Sequence, residues 1–188
     1  MRIYTRGGDK GKTALMGGER RFKHDTRMEA CESIDEAGAF VGLAIAELDT
    51  HRDTDIIDLL FCVQQTLWDV RADVAAAPGA IYAYRTPEIA AGNLEPEIDK
   101  YKEESDSIKK FILRGGCRAS ANLHVACTVV RRAERRLVEL MQIDEIHVPT
   151  LKYLNRLSDL LFVLARAINT RNHMSDVFYE HSPNVFRG

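Results

Sequence analysis

Long apolar runs and closely spaced cysteines are missing from this sequence of 188 residues, and each absence excludes a class of protein. Because no run of about 18 apolar residues occurs, the sequence predicts no transmembrane helix. The four cysteines are scattered and form no CxxC pair, which argues against both a zinc site and a disulfide framework. The amino terminus lacks the apolar segment of a secretory signal, so we expect a protein of the reducing cytoplasm.

A large net charge is missing as well. The chain carries 26 basic and 28 acidic residues, and its formal net charge is -2. Such a chain has no overall field that would attract nucleic acid or an anionic membrane, so we expect neither partner. Any anion must therefore be bound by a local cluster of basic residues.

Helical periodicity is what the sequence does contain. Apolar residues recur at every third or fourth position in segments 25–48, 55–74, 117–141 and 149–171, and Pro96 favours a short helix at 95–104. Thr26 and Glu29 have the spacing of a capping box at the first helix. The pattern predicts an all-α fold, a five-helix antiparallel bundle in a single domain. We expect three parts: an N-terminal loop at 1–24, the bundle at 25–171 and a tail at 172–188.

The N-terminal loop, residues 1–24, is rich in glycine and in basic side chains. Glycine lets the backbone approach a ligand and turn its N–H groups inward, while lysine and arginine supply positive charge for a polyphosphate. The segment is not a Walker loop, because Arg6 stands where that motif needs glycine and no strand precedes it. Composition alone leaves two alternatives, a polyphosphate-binding loop and a flexible basic terminus.

Polar side chains interrupt the fourth and fifth predicted helices. His124, Cys127, Arg131 and Arg135 fall on one stripe of the fourth helix, and two arginines one turn apart suit phosphate oxygens. A solvated charged face is the alternative. Asn155 lies in the apolar fifth helix, where it is equally suited to an interhelical hydrogen bond and to a ligand contact. His124 and Cys127 alone do not make a metal site, and the spacing assembles no catalytic triad.

Four segments of the chain carry a resemblance to a known family. They read YTRGGDKGKTAL; GGERRFKHDTRMEA leading into SIDE; FILRGG followed by ANLHVA and RRAERR; and LKYLNRLSDLLFVLAR. In order and spacing they resemble the PduO-type ATP:cob(I)alamin adenosyltransferases, from Ile3 to Phe186. The resemblance implies a homotrimer with active sites between subunits. The implied reaction transfers the 5′-deoxyadenosyl group of ATP to cob(I)alamin, giving adenosylcobalamin and triphosphate.

The resemblance also implies site residues. The matching ATP-binding positions are Thr5, Arg6, Gly7, Gly8, Asp9, Lys10, Thr13, Lys23, Arg131, Arg132, Glu134, Arg135 and Asn155. The matching cobalamin-binding positions are Asp35, Phe111, Val185 and Phe186. Arg131 and Arg135 would act in catalysis by holding the triphosphate, and Phe111 by displacing the lower axial ligand of cobalamin.

Further partners follow from the same resemblance. ATP and cobalamin would be the substrates, with Mg²⁺ as a helper. Asn155 and Glu134 would position the nucleoside or the divalent metal, although no side chain is assigned as a metal ligand. A flavin-type reductase would supply Co(I), and a B12-dependent enzyme would use the product. Because Co(I) is itself a strong nucleophile, the reaction needs no side-chain nucleophile.

The sequence departs from the family pattern at Glu32, Gly38, Arg114 and Cys127. Cys127 stands where the family has an arginine that pairs, across the subunit interface, with the aspartate matching Asp35. We expect Asp35 either to take another cation, Arg114 or Arg118, or to be solvated, because a buried unpaired carboxylate is costly. This departure motivates a second hypothesis, a catalytically impaired ATP-dependent carrier or sensor of cobalamin. A third is a helical scaffold that docks an acidic protein.

Overall fold

The computed structural model describes residues 3–184 and contains, within that range, five α-helices and one two-stranded hairpin. The helices are α1 (Thr26–Ala46), α2 (Thr54–Val74), α3 (Glu95–Lys102), α4 (Arg118–Leu140) and α5 (Val148–Arg171). The strands are β1 (Lys12–Ala14) and β2 (Arg20–Phe22), and a single 3₁₀ turn, Gly92–Leu94, precedes α3. The predicted helical fold is therefore confirmed.

The capping residue of α1 differs from the prediction. Asp25, not Thr26, is the N-cap, and its side chain accepts a hydrogen bond from the backbone N–H of Arg27 at 2.9 Å. An aspartate at this position satisfies one of the free N–H groups of the first turn and places negative charge at the positive end of the helix.

The centre of the bundle is formed by α1, α4 and α5, with α2 packed on α1 and α3 packed on α5. The side chains at this centre are aliphatic and at most 1% exposed; they include Ile34, Val41, Leu123, Val130, Leu154 and Leu161. Burying each such side chain stabilises the fold by about 1.5–3 kcal/mol. An interior filled in this way leaves ligand binding to loops, helix ends and the outer surface. No helix in the described range is long and apolar enough to cross a membrane.

A hairpin occupies the N-terminal loop, where the sequence shows no periodicity. β1 and β2 pair antiparallel, with Thr13 opposite Arg21. Gly17 and Gly18 lie in the turn with φ of 104° and 90°, a region that glycine adopts without strain. Strands of three residues with mostly exposed side chains carry too few positions for an alternating pattern, so they could not be predicted from periodicity.

A buried ion cluster fastens this hairpin to the bundle. The side chain of Arg27 is 2% exposed, and its guanidinium donates to the carbonyl oxygens of Val74 at 2.8 Å and Glu145 at 2.7 Å. Asp144, in the connection between α4 and α5, lies 2.9 Å from the Arg27 guanidinium and 3.1 Å from that of Arg21 in β2. One carboxylate thus links the hairpin, α1 and the end of α4.

The turn before α4 explains the glycine pair of the FILRGG segment. Gly116 has φ of 114°, and a Cβ at this position would collide with the side-chain amide of Asn169 in α5. The Asn169 oxygen accepts from the N–H of Cys117 at 3.1 Å, and its NH₂ group donates to the carbonyl of Gly115 at 3.0 Å. Glycine at 116 therefore lets α5 dock against the start of α4.

The C-terminal tail pairs with the segment that precedes this turn. Ile112 forms an antiparallel bridge with Phe178. The N–H of Tyr179 donates to the carbonyl of Phe111 at 2.8 Å. Because the two strands of this contact are far apart in sequence, a brief apolar run and an irregular tail did not predict it. The pairing fixes the position of Phe111 on the outside of the bundle.

Candidate functional site

The N-terminal loop is shaped by its own hydrogen bonds. Arg6 has φ of 61°, in the left-handed region, and its carbonyl accepts from the N–H of Asp9 at 3.3 Å. The N–H of Gly11 donates to the carbonyl of Gly8 at 3.0 Å, which closes a second turn. The guanidinium of Arg20 donates to the carbonyl of Gly7 at 2.7 Å. The predicted loop residues therefore form one compact surface at the open end of the hairpin.

Lys23 brings a positive charge onto this surface. Its N–H donates to the carbonyl of Gly11 at 2.9 Å, and its ammonium nitrogen lies 3.0 Å from the place that a Cβ on Gly8 would occupy. Glycine at position 8 therefore makes room for the Lys23 side chain. Thr13 lies in β1, whereas Thr5 and Lys10 lie in the segment that leads into the hairpin, where the Thr5 hydroxyl accepts a hydrogen bond from the N–H of Gly7 at 3.4 Å.

Arg131 and Arg135 are exposed on α4, whereas His124 and Cys127, which the sequence placed on the same stripe, are buried. They border a surface depression of about 610 Å³ together with Glu134 and Gln142. The NH₂ group of Asn155, on α5, donates to the Glu134 carboxylate at 2.8 Å, so these two predicted residues also meet. Among residues 3–184 the guanidinium of Arg131 makes no hydrogen bond and no ion pair. A positive group without a counter-charge at a depression of this size suits an anion.

Arg132 differs from its neighbours on α4. Its guanidinium pairs with the carboxylate of Glu36 on α1, so it is already engaged within the chain. The structure thus separates the four predicted charged residues of α4: Arg131 and Arg135 line the depression with Glu134, whereas Arg132 faces α1.

The loop and the α4 depression do not meet within one chain. In the described range neither strand of the hairpin packs against α4; the two strands contact each other. The hairpin is instead held at the end of the bundle by Arg21 and Asp144. The two groups of predicted ATP-binding residues therefore lie on separate surfaces of the described chain.

Phe111 is the aromatic residue of the segment that pairs with the tail. Its N–H donates to the hydroxyl oxygen of Ser182 at 2.8 Å, and its side chain is 51% exposed. Just before it, residues 105–109 and α5 enclose a cavity of about 470 Å³ whose walls include Phe162 and Arg166. Phe111 itself is not among the residues that line this cavity. Val185 and Phe186, the other predicted residues of this half, lie outside the described residues.

His124 lies beneath this segment on the inner face of α4. It is 3% exposed, and its ring centroid is 6.0 Å from that of Phe162. Burial, and secondarily the charge of Arg114, lowers the pKa of His124 to about 4. Its Nδ1 atom has no hydrogen-bond partner in the described part of the chain. The imidazole is therefore neutral at pH 7.

Asp35 has a cation partner that the sequence analysis did not foresee. The Nε atom of Arg71, on α2, donates to the Asp35 carboxylate at 3.1 Å. Within the described chain neither Arg114 nor Arg118, the candidates named from the sequence, contacts Asp35. Arg118 pairs with Glu47 at 3.1 Å, and Arg114 reaches the carbonyl of His124 at 3.5 Å. Arg71 was missed because no spacing rule connects positions 36 residues apart; only the packing of α1 on α2 brings them together.

Cys127 is enclosed between α4 and α5. It is 1% exposed, and its thiol donates to the carbonyl of Ser158 at 3.2 Å. A small side chain that packs in this way leaves α4 without a cation at this position. The described residues contain no group of three or more His, Cys, Asp or Glu side chains arranged to hold a metal ion.

Comparisons with known proteins place this geometry in a family. The family model described as cobalamin adenosyltransferase matches residues 3–168. The corrinoid adenosyltransferase of Bacillus subtilis is 45% identical over 188 residues, covering 100% of this chain and 96% of that protein. Human corrinoid adenosyltransferase MMAB is 38% identical over 192 residues, covering 98% of this chain and 76% of that protein.

A solved structure gives the same fold. A variant of the PduO-type ATP:corrinoid adenosyltransferase from Lactobacillus reuteri, complexed with cobalamin and ATP, superposes with a TM-score of 0.93 at 34% sequence identity. The match covers 98% of this chain and 100% of that one. The similarity therefore extends over the hairpin, the bundle and the described part of the tail.

Proposed function

This chain belongs to the cobalamin adenosyltransferase family, and from that premise we infer that it transfers the 5′-deoxyadenosyl group of ATP to cob(I)alamin. The products are adenosylcobalamin and triphosphate. The observation that carries this conclusion is the α4 depression of about 610 Å³, bordered by Arg131 and Arg135. Arg131, whose guanidinium has no partner among residues 3–184, would bind the triphosphate that the reaction releases.

We propose that ATP binds between two copies of the chain. The glycine-rich loop of one subunit would face the α4 depression of its neighbour, in a homotrimer. This arrangement is supported by the separation of the two surfaces within one chain. A large apolar side chain on α2 outside the Asp35 groove, Phe61, is 52% exposed. Exposed aromatic residues of this size are typical of surfaces that bind another protein.

The chemical step is a displacement at the 5′ carbon of ATP. The electron pair on Co(I) forms the Co–C5′ bond, and the C5′–O bond breaks, with its electron pair leaving on the triphosphate. Arg131 and Arg135 would neutralise the charge that develops on this leaving group. The loop residues, including Lys10 and Lys23, would orient the nucleotide, and holding the two reactants in line supplies much of the rate.

We propose that Mg²⁺ accompanies the triphosphate near Glu134. Mg²⁺ is usually bound by one or two carboxylates together with substrate phosphate oxygens, rather than by a cage of protein ligands. A single carboxylate held in place by Asn155 at 2.8 Å fits that donor set. When bound, the ion would supply additional positive charge to the phosphates.

The corrinoid half of the site would be built from Asp35, Phe111, Val185 and Phe186. Phe111 presents a half-exposed ring on a segment fixed by the tail. Such a ring excludes water and the ligand base from the lower face of cobalt, and loss of that axial ligand eases the reduction of Co(II) to Co(I). A flavin-type reductase for this step and a B12-dependent enzyme that uses the product are the partners we propose, together with a cytoplasmic location where ATP and reductant are available.

The test is an anaerobic assay of the purified chain with ATP, Mg²⁺ and chemically reduced cobalamin. We expect conversion of cob(I)alamin to adenosylcobalamin, followed by its absorption spectrum, and one triphosphate released per product. Omission of ATP provides the control for oxidation of Co(I). Binding of both substrates without any product would favour the carrier or sensor hypothesis instead. Sedimentation of the protein as a monomer would contradict the shared site.

A further inference from the structure

We propose that Arg71 is a positioning residue for the corrinoid. It holds the Asp35 carboxylate in the groove between α1 and α2, with one oxygen left to accept a hydrogen bond from the substrate. This inference rests on the proposed function, because it concerns the corrinoid half of the same site. It assigns to α2 a role that the sequence pattern did not indicate.

The geometry of the pair is the first observation. The Nε atom of Arg71 donates to Oδ2 of Asp35 at 3.1 Å, and the two side chains are 30% and 35% exposed. Oδ1 of Asp35 makes no hydrogen bond within residues 3–184. The arginine therefore occupies one carboxylate oxygen and leaves the other available. An ion pair that is neither buried nor fully solvated is well placed to orient a group toward a ligand.

The surroundings of Asp35 are the second observation. It lies in a groove of about 370 Å³ whose other lining residues include Ile34, Leu67 and Trp68. Gln64, the other polar side chain there, already donates to the carbonyl of Gly38 at 3.0 Å. A corrinoid has an apolar ring system with amide side chains whose N–H groups donate hydrogen bonds. An apolar groove with one free carboxylate oxygen is complementary to that chemistry.

The two cations that the sequence suggested as partners of Asp35 are engaged elsewhere. Arg118 pairs with Glu47 at 3.1 Å, and Arg114 reaches the His124 carbonyl at 3.5 Å. Without Arg71, the Asp35 side chain would rotate freely and both oxygens would be solvated. A lysine at 71 restores the charge but not the planar, directed N–H group. Replacing Arg71 by lysine should therefore impair corrinoid binding less than replacing it by alanine.

The experiment measures steady-state kinetics of Arg71→Ala, Arg71→Lys and Asp35→Ala with cob(I)alamin and with ATP varied in turn. We expect Arg71→Ala to raise the KM for cob(I)alamin about tenfold, the effect of losing one charge-assisted hydrogen bond. The KM for ATP should change less than about twofold, and Arg71→Lys should recover part of the loss. Arg118→Ala is the matched control, because it breaks an arginine–carboxylate pair of the same length outside the groove.

A double-mutant cycle separates positioning from general stability. If Arg71 acts through Asp35, the double variant should be no worse toward cob(I)alamin than Asp35→Ala alone. Additive increases in the KM for cob(I)alamin, or equal increases in the KM for both substrates, would overturn the inference. The proposed function would still stand, because the wild type would still form adenosylcobalamin. An inactive wild-type enzyme would instead contradict the proposed function, and this inference with it.

Discussion

The ATP half and the corrinoid half of the proposed site are built by different means. The ATP half uses a short hairpin whose residues are close in sequence and a stripe of arginines on one helix. The corrinoid half depends on contacts between distant segments: α1 with α2 through Asp35 and Arg71, and Phe111 with Ser182 in the tail. The first half follows from local sequence, whereas the second requires the tertiary fold.

Removing Arg131 should have the largest effect and should fall on the ATP half alone. We expect Arg131→Ala to lower kcat by about 10²–10³, the usual cost of losing one donor to a developing negative charge. Because its guanidinium has no partner within the described chain, thermal stability should stay within about 0.5 kcal/mol of the wild type. Rates of adenosylcobalamin formation and thermal unfolding check both expectations.

Arg136→Ala is the control for this prediction. Arg136 lies on the same helix, but its guanidinium pairs with Glu139 at 2.9 Å on the surface. We expect its activity to stay within about twofold, since exposed pairs contribute at most about 1 kcal/mol. If Arg131→Ala and Arg136→Ala lowered kcat equally, α4 would contribute general positive charge and not a directed contact.

Breaking the ion cluster at Asp144 should come next, because it joins the ATP half to the bundle. Asp144→Asn leaves the Arg27 side chain, which is 2% exposed, without its counter-charge. We expect a loss of about 3 kcal/mol in the free energy of unfolding, which for a chain of this size lowers Tm by about 6–12 °C. The KM for ATP should rise as the hairpin loosens. Calorimetry and kinetics measure the two effects.

An exposed pair serves as the reference for Asp144. Glu88→Gln removes the partner of Lys152 at 3.8 Å, where both side chains are more than half exposed. Its effect on unfolding should stay below about 0.5 kcal/mol. A stable Asp144→Asn variant with an unchanged KM for ATP would show that the hairpin is held by its backbone contacts alone.

Truncating Phe111 should impair the reaction with the corrinoid and leave the binding of ATP unchanged. Burying one aromatic side chain against a ligand contributes about 1.5–3 kcal/mol, so Phe111→Ala should lower kcat/KM for the corrinoid by about 10–100-fold. ATP binding, measured by calorimetry, should not change. Phe178→Ala is the control, because its side chain is equally exposed, at 51%, on the paired strand of the tail. A parallel loss of ATP affinity would place Phe111 in both halves.

The same contrast explains what could be predicted from the sequence. The five helices follow from periodicity, and the basic, glycine-rich character of the N-terminal loop follows from composition; both are local properties, whereas the individual loop residues were named from the resemblance to the family. Arg71 could not be predicted, because its partner Asp35 lies on another helix. The Asp25 cap was missed because Thr26 and Glu29 match the same motif one position later. The tail contact was missed because β-pairing of two or three residues leaves no pattern in either segment.

Acid should lower the free energy of unfolding through His124, which lies beneath the Phe111 segment of the corrinoid half. This effect should be smaller than those of the substitutions above. Burial lowers the pKa of His124 in the folded chain to about 4, while in the unfolded chain it is about 6.5. Stability is therefore complete above pH 6.5 and falls as the pH drops toward 4, because only the unfolded chain takes up the proton. Between pH 6.5 and 5 this amounts to about 2 kcal/mol.

Urea unfolding at several pH values tests this dependence, with His124→Gln as the comparison. Groups that titrate in both proteins cancel, so the difference between the two unfolding free energies isolates the imidazole. Arg114 and Arg166 oppose its protonation and Asp176 favours it. The wild type should therefore lose stability relative to the variant as the pH falls from 6.5 to 5. Parallel curves would show that His124 is protonated inside the fold, and that the packing beneath the Phe111 segment accepts a charge.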